Sequence, residues 1–240
     1  MKKIRLILVS LVIVFFITGC GAPVYQTITT DIPLINHKND IRVDAGISLP
    51  SINATVSYGL TDRIAIQGYG GMISENAYYF QPAIGLYKNL GNRKVQELYC
   101  GYGYGYGVGE EGIFFGRIFG DYQVYFLQYN YGRINGNNSN TELGFSFKAG
   151  YLQSDLIDLG YYDDNYAYIP IKYKDECIFI EPVGMIRFGM VNRKISVKLG
   201  GTYMYKFTNT DKDYPYWGLN LGLAFNFRSF KEPTQRQIKR

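Results

Sequence analysis

Apolar and polar side chains alternate with period two over most of this chain, from about residue 41 to residue 228. The alternation is cleanest near the C-terminus, where every second residue from Trp217 to Phe227 is apolar and those between are polar or small. Period two is the repeat of a β-strand whose two faces meet different surroundings, whereas a helix would scatter the same residues around its axis. The pattern therefore predicts an all-β protein whose strands separate an apolar medium from a polar one.

Breaks in the alternation divide this region into about ten strands, with eight as the lower alternative. The predicted strands are 41–49, 52–60, 63–72, 78–88, 96–108, 122–134, 141–152, 177–189, 194–207 and 216–228. Two kinds of connection alternate between the predicted strands. Those of one kind are short and polar, and three of the other kind are long: 109–121, 153–176 and 208–215. Outer-membrane barrels have short periplasmic turns and longer external loops. We therefore predict a single antiparallel up-and-down transmembrane β-barrel over residues 41–228, with both chain ends on the periplasmic side.

A soluble barrel is the alternative explanation of the same pattern. A lipocalin-like barrel, attached to the membrane by a lipid alone, would turn its apolar face inward around a small hydrophobic ligand. The apolar faces here are long enough for tilted membrane strands, and their ends are rich in Tyr, Phe and Trp. The polar faces contain many Gly, Ser, Thr and Asn residues, which suit a narrow lumen. These features favour the membrane barrel.

The N-terminus carries an export signal. A basic start precedes an apolar run from Leu6 to Ile17, which is too short to span a bilayer as a helix but suits a cleaved signal. The run Ile17-Thr18-Gly19-Cys20 resembles a bacterial lipobox, which implies that Cys20 becomes the acylated mature N-terminus. We expect four regions: a lipoprotein signal peptide at 1–19, a lipidated periplasmic tether at 20–40, the barrel at 41–228 and a basic polar tail at 229–240.

The net charge of +5 belongs mainly to the two ends of the chain. Lys2, Lys3 and Arg5 leave with the signal, and the stretch from Arg228 onward is basic. No basic stripe interleaved with aromatic residues crosses the body, so nucleic acid is not an expected partner. With Cys20 acylated, Cys100 and Cys177 remain and are expected to be free thiols. Outer-membrane lipid is the expected surrounding of the barrel.

No catalytic constellation is visible in the barrel. Barrels that modify lipid A rely on histidine, and the one histidine here, His37, precedes the first predicted strand. We therefore expect no enzyme, no cofactor and no metal site. Charges on the polar faces of the strands are expected to point into the lumen and to pair there, because an isolated buried charge is costly. The predicted lumen charges are Arg42, Asp44, Glu142, Lys148, Glu181, Arg187, Lys194 and Lys198.

Glycine occupies every second position from Gly101 to Gly109, and the positions between are Tyr102, Tyr104, Tyr106 and Val108. A phosphate-binding glycine loop needs a strand-to-helix turn, which this strict period of two does not provide. We expect the glycines to lie on the lumen face of a strand, where they make room for neighbouring side chains.

The long external segment 153–176 is the most distinctive predicted surface. It mixes acidic and aromatic residues, and tyrosine gives stacking and hydrogen bonds with little loss of entropy. A glycan or a protein partner could bind there, while Asp163-Asp164-Asn165 lacks the pattern of a calcium-binding EF-hand. The candidate binding residues are Tyr161, Tyr162, Asp163, Asp164, Tyr166 and Tyr168.

Several short motifs together resemble the uncharacterised outer-membrane β-barrel lipoproteins common in Bacteroidota-type bacteria. The resemblance implies a lipidated barrel in the bacterial outer membrane and brings no known activity with it. We expect a non-enzymatic role, either structural in the cell envelope or as an accessory subunit of a surface assembly. A lipid-modifying barrel enzyme is a weaker alternative. The motifs are Val24-Tyr25, Ile32-Pro33-Leu34, Asp40-Ile41-Arg42-Val43, Thr61-Asp62-Arg63-Ile64-Ala65 and Phe179-Ile180-Glu181-Pro182.

Overall fold

The described residues form a closed antiparallel β-barrel of ten strands, in which neighbours in sequence pair and β1 also pairs with β10. The computed structural model describes residues 24–25, 30–48, 51–74, 77–110, 117–134, 140–159, 170–190, 192–207 and 217–229. The strands are β1 Ile41–Ser48, β2 Ser51–Gly59, β3 Ile64–Ser74, β4 Ala77–Asn89, β5 Lys94–Glu110, β6 Arg117–Arg133, β7 Thr141–Asp158, β8 Ile171–Met190, β9 Arg193–Lys206 and β10 Trp217–Ser229. The predicted all-β ten-strand barrel is confirmed.

Several strands are longer than predicted. β6 begins at Arg117, β7 continues to Asp158 and β8 begins at Ile171, so both ends of the predicted loop 153–176 are paired strand. The reason is visible on the outer face of the wall, where Gln153 and Asp155 are polar although the backbone pairing continues. The alternation of apolar and polar residues therefore fades before the strands end.

Across the middle of the wall, the outward side chains are apolar and the charged side chains of the strands point inward. Leu127 on β6 is 59% exposed, whereas Arg187 on β8 is fully buried in the lumen. This arrangement suits a wall that faces lipid outside and polar groups inside. The lipocalin-like alternative is wrong, because it requires the apolar faces to point inward. Among the described residues, no helix is long and apolar enough to cross a membrane.

The outward apolar side chains form a band that we call the apolar belt. On β6 the belt runs from Tyr125 to Tyr131, and beyond it the outward residues Gln123 and Asp121 are polar. We call the end of the barrel where β1 begins and β10 ends the turn end, and the opposite end the loop end. β5 to β8 extend past the belt at the loop end, so this part of the wall projects beyond the lipid.

Two of the connections between strands at the turn end are tight turns. Between β4 and β5, Gly91, Asn92 and Arg93 all have positive φ, and the Lys94 amide donates a 3.0 Å hydrogen bond to the Gly91 carbonyl. Between β2 and β3, the Thr61 hydroxyl oxygen accepts a 2.9 Å hydrogen bond from the Ile64 amide. Gly and Asn tolerate this left-handed backbone better than most residues, which explains the sharp reversal at Gly91-Asn92.

A charge at the centre of the belt is expected to destabilise the barrel, whereas one beyond it is not. Leu127→Arg should lower the free energy of unfolding by about 2–4 kcal/mol, the usual cost of arginine at the bilayer midplane. Gln123→Arg, four residues away on the same face of β6, is the matched control, and a change of about 0–1 kcal/mol is expected there. Urea unfolding of the barrel refolded in phosphatidylcholine vesicles measures both. Equal effects at the two positions would contradict the position of the belt.

Candidate functional site

Part of the chain that precedes β1 lies inside the barrel. Residues 24–25 and 30–40, which we call the luminal segment, include Tyr25, Ile32 and Ile35, each fully buried. Residues 20–40 are predicted as a tether outside the barrel, whereas residues 24–25 and 30–35 are buried inside the wall and Lys38 and Asn39 are exposed at its end. The composition of the luminal segment explains the difference, because Ile32 to Ile35 are apolar and the flanking acids Asp31 and Asp40 complement basic side chains of the lumen.

Asp31 is bound at the centre of the lumen. Its carboxylate accepts a 2.5 Å hydrogen bond from the Lys198 ammonium on β9 and lies 3.5 Å from the Arg187 guanidinium on β8. The Gln128 amide on β6 donates a 2.8 Å hydrogen bond to the Asp31 backbone carbonyl. Side chains from three strands therefore hold this one residue of the luminal segment.

At the turn end, the wall binds the luminal segment through Arg228 and Glu97. The Arg228 guanidinium donates hydrogen bonds to both carboxylate oxygens of Asp40, one of them at 2.8 Å, and another to the Asn36 side chain at 2.5 Å. The Glu97 carboxylate accepts a 2.6 Å hydrogen bond from the backbone amide of Ile35. These contacts satisfy polar groups that the lumen would otherwise bury without a partner.

Toward the loop end, Glu181 is the principal contact. Its carboxylate accepts hydrogen bonds from the Tyr25 hydroxyl at 3.2 Å and from the Thr30 hydroxyl at 3.3 Å. The Lys148 ammonium lies 3.4 Å from the same carboxylate and 4.5 Å from the centre of the Phe126 ring. A lysine paired with a carboxylate and placed over an aromatic face is well stabilised in a narrow lumen.

Glycine on the lumen face makes room for the luminal segment. The glycines of the run from Gly101 to Gly109 point inward and its outward tyrosines contribute to the belt. A Cβ atom at Gly107 would clash with the Val24 carbonyl, and one at Gly132 would lie 2.6 Å from the Leu34 side chain. The segment can therefore approach the wall only because these positions lack side chains.

Beside the segment, six of the eight predicted lumen charges form one connected network, and Lys148 and Glu181 form a pair of their own. Glu142 accepts from Arg42 at 3.1 Å and from Lys194 at 2.7 Å, and it lies 3.6 Å from Arg187. Arg187 also donates a 2.9 Å hydrogen bond to Asp44, which joins this group to Asp31. All of the predicted lumen charges are buried and point inward: Arg42, Asp44, Glu142, Lys148, Glu181, Arg187, Lys194 and Lys198.

Four charged residues of the network were not among the predicted lumen charges: Asp31, Asp40, Glu97 and Arg228. Asp31 and Asp40 belong to the stretch predicted as a tether, whereas Glu97 and Arg228 lie on predicted strands of the barrel. Period-two counting along β5 and β10 places Glu97 and Arg228 on the lumen face, so that signal could have identified both. No comparable pattern marks Asp31, because the luminal segment has no regular repeat.

The remaining candidate residues lie elsewhere. Cys20 and the candidate binding loop, Tyr161, Tyr162, Asp163, Asp164, Tyr166 and Tyr168, fall outside the described residues. His37 is near the turn end, where its Nδ1 lies 2.8 Å from the Lys38 carbonyl oxygen. Cys100 faces outward and Cys177 is buried, and both are free thiols. In the described part of the chain, no group of three or more His, Cys, Asp or Glu residues is arranged to hold a metal ion.

Comparison with known proteins supports the barrel fold. The chain is similar to the outer membrane protease OmpT from Escherichia coli, with 13% identity and a TM-score of 0.51 over 80% of this chain and 94% of that chain. It also matches the N-terminal β-barrel domain of Pseudomonas aeruginosa OprF, with 14% identity and a TM-score of 0.30 over 79% and 98% of the two chains. No family model and no curated protein matches the chain. At 13% identity, the likeness to OmpT shows an outer-membrane β-barrel fold and carries no activity across.

The pair between Asp31 and Lys198 is expected to stabilise the plugged barrel. Asp31→Asn should lower the free energy of unfolding by about 3–5 kcal/mol, because it leaves the buried Lys198 ammonium without the carboxylate that it binds. Lys198→Gln should lower it less, because Arg187 still lies 3.5 Å from Asp31. The double variant should lose less than the sum, with a coupling energy of about 0.5–3 kcal/mol. Urea unfolding in vesicles measures the full cycle.

An exposed pair on the same barrel provides the control. Lys174 and Asp155 lie 3.3 Å apart at the loop end, with side chains 83% and 69% exposed. Lys174→Gln and Asp155→Asn should couple by less than about 1 kcal/mol, as is usual for solvated ion pairs. Equal coupling in the two cycles would contradict a special role of the buried pair.

Proposed function

We propose that this protein is a plugged, non-enzymatic outer-membrane β-barrel lipoprotein, with a structural or accessory role in the cell envelope. The supporting observation is that its own luminal segment occupies the lumen and is bound there by side chains of several strands. Asp31, Ile35 and Asp40 are each held by hydrogen bonds or ion pairs from the wall. A lumen filled in this way favours a solid barrel over an open channel.

The arrangement of the polar groups favours a non-enzymatic role. Acid–base catalysis needs a titratable group within reach of a substrate. Among the described lumen residues, Glu142, Glu181 and Asp44 all bond to basic or hydroxyl side chains of the wall or the segment. The one histidine of the chain, His37, lies near the turn end, where its Nδ1 is 2.8 Å from the Lys38 carbonyl oxygen. Unchanged lipid A and phospholipid in a deletion strain, and no peptide cleavage by the purified barrel, are the results expected.

The lipid attachment is part of the proposal and depends on the lipobox-like run that ends at Cys20. The resemblance to Bacteroidota-type lipoproteins supports it. The loop residues Tyr161, Tyr162, Asp163, Asp164, Tyr166 and Tyr168 are proposed to contact a protein partner or a glycan at the cell surface. A subunit role further predicts that the protein migrates with a larger assembly when membranes are dissolved in mild detergent.

Removal of the luminal segment is expected to open the barrel to ions. The mature chain refolded into planar lipid bilayers should show no steady conductance, whereas a variant that lacks residues 24–38 should conduct. The reason is that water replaces the segment around basic side chains such as Lys198 and Arg187. Deletion of residues 230–240 is the control and should leave the barrel closed. Heat-modifiable migration on a gel verifies that each variant folds, and steady conductance by the complete chain would overturn the plugged barrel.

The barrel is expected to hold in the membrane without its lipid. Cys20→Ala should remain in the outer-membrane fraction after a carbonate or urea wash, because the apolar belt alone anchors the protein. The same variant should lose the label from a clickable fatty acid that the unmodified chain incorporates. Release of Cys20→Ala into the soluble fraction would show that the wall does not span the bilayer. An unlabelled wild-type chain would remove the lipoprotein part of the proposal.

A further inference from the structure

The luminal segment crosses the barrel in one direction, and its contacts with β5 show which end of the barrel each part of the segment lies near. The Ile35 amide bonds to Glu97, three residues from the start of β5 at the turn end. The Val24 carbonyl lies against Gly107, three residues from the end of β5 at the loop end. Ten residues of strand separate these two contacts, roughly 33 Å along the wall. The chain therefore passes from the loop end at Val24 to the turn end at Ile35.

Contacts with β6 and β8 also locate Tyr25 along the barrel, next to Val24. Its ring packs edge-on against Tyr122, with ring centres 5.2 Å apart, and in a tilted arrangement against Phe179, with ring centres 5.9 Å apart. The neighbours of Tyr122 along β6, Asp121 and Gln123, point outward and are polar. On the β6 side Tyr25 is therefore level with outward polar residues, whereas the neighbours of Phe179 along β8, Ile178 and Ile180, are still outward and apolar.

The length of the preceding chain limits where the N-terminus can be. Cys20 is four residues from Val24, so it can lie at most about 14 Å away, even if the chain is fully extended. Gly107, beside Val24, is thirteen residues along β5 from Lys94, or roughly 43 Å of strand. A strand tilt of about 40° still leaves roughly 33 Å along the barrel axis. Cys20 cannot span that distance back to the turn end.

The chain that precedes Val24 also cannot reach the turn end through the lumen or through the wall. Residues of the luminal segment fill the lumen below Val24, where Ile32, Leu34 and Ile35 are fully buried. The strands on all sides are paired, and the sheet has no open seam through which a chain could leave sideways. The chain that precedes Val24 therefore has only the mouth at the loop end.

We propose that the mature N-terminus leaves the barrel at the loop end, so that the lipid on Cys20 enters the outer leaflet at the cell surface. This inference rests on the proposed function, which supplies the lipid and the orientation of the barrel. It replaces the expectation that both chain ends are periplasmic. β10 ends at Ser229 at the turn end, so the two termini lie on opposite sides of the membrane.

Thiol labelling of intact cells tests this topology. Ala22→Cys leaves Cys20 and Gly21 unchanged and places a thiol two residues before Val24. A membrane-impermeant maleimide is applied to intact cells and to cells whose outer membrane has been permeabilised. Lys174→Cys, at the exposed loop end, is the surface control, and Asp62→Cys, in the turn between β2 and β3, is the periplasmic control. The parent chain is the blank, because Cys100 faces lipid and Cys177 is buried.

The expected result is that Ala22→Cys labels as completely in intact cells as after permeabilisation, like Lys174→Cys. Labelling only after permeabilisation, as expected for Asp62→Cys, or no labelling in either state, would overturn the inference. The two controls separate this failure from that of the proposed function. If Lys174→Cys and Asp62→Cys label alike in intact cells, the spanning barrel itself is wrong. If they differ and Ala22→Cys follows Asp62→Cys, the barrel stands and only the surface N-terminus is lost.

Discussion

Closure of the sheet by β1 and β10 is the constraint on which the rest of the structure depends. Lipid offers no partners for backbone N–H and C=O groups, so a sheet can cross a membrane only without edges. The pairing from Ile41 opposite Ser229 to Ser48 opposite Gly222 removes the last two edges. Once the ring is closed, a side chain within the belt has two destinations, the lipid or the lumen. The charges carried by the strands there must be accommodated inside.

The interior then needs acids that the wall does not supply. The buried strand residues include more basic than acidic side chains, and a buried cation without a partner costs several kcal/mol. Asp31 and Asp40 lie opposite Lys198, Arg187 and Arg228 and balance part of this excess. The luminal segment therefore packs against the inner face of the wall and also supplies acidic side chains that balance the basic ones of the wall. Neither the ionic network nor the filled lumen would form in the same way without the other.

The strands could be predicted because side-chain alternation is local and each strand reports its own two faces. The same alternation of faces also predicts that Arg42, Glu142 and Arg187 point into the lumen. The full lengths of β7 and β8 could not be predicted, because their outward residues become polar above the belt while pairing continues. The luminal segment carries no period, so its position inside the barrel could not be predicted. Its partners come from strands far away in sequence, which local patterns do not reveal.

The unequal strand lengths give the mouth of the barrel an oblique rim. β1 has 8 residues and β8 has 20, a difference of roughly 30 Å along the barrel axis after allowing for tilt. The tall side carries Asp121, Gln153 and Lys174 outward into water, whereas the low side beside β1 and β2 ends close to the lipid headgroups. One opening of the barrel thus borders water on its tall side and lipid on its low side.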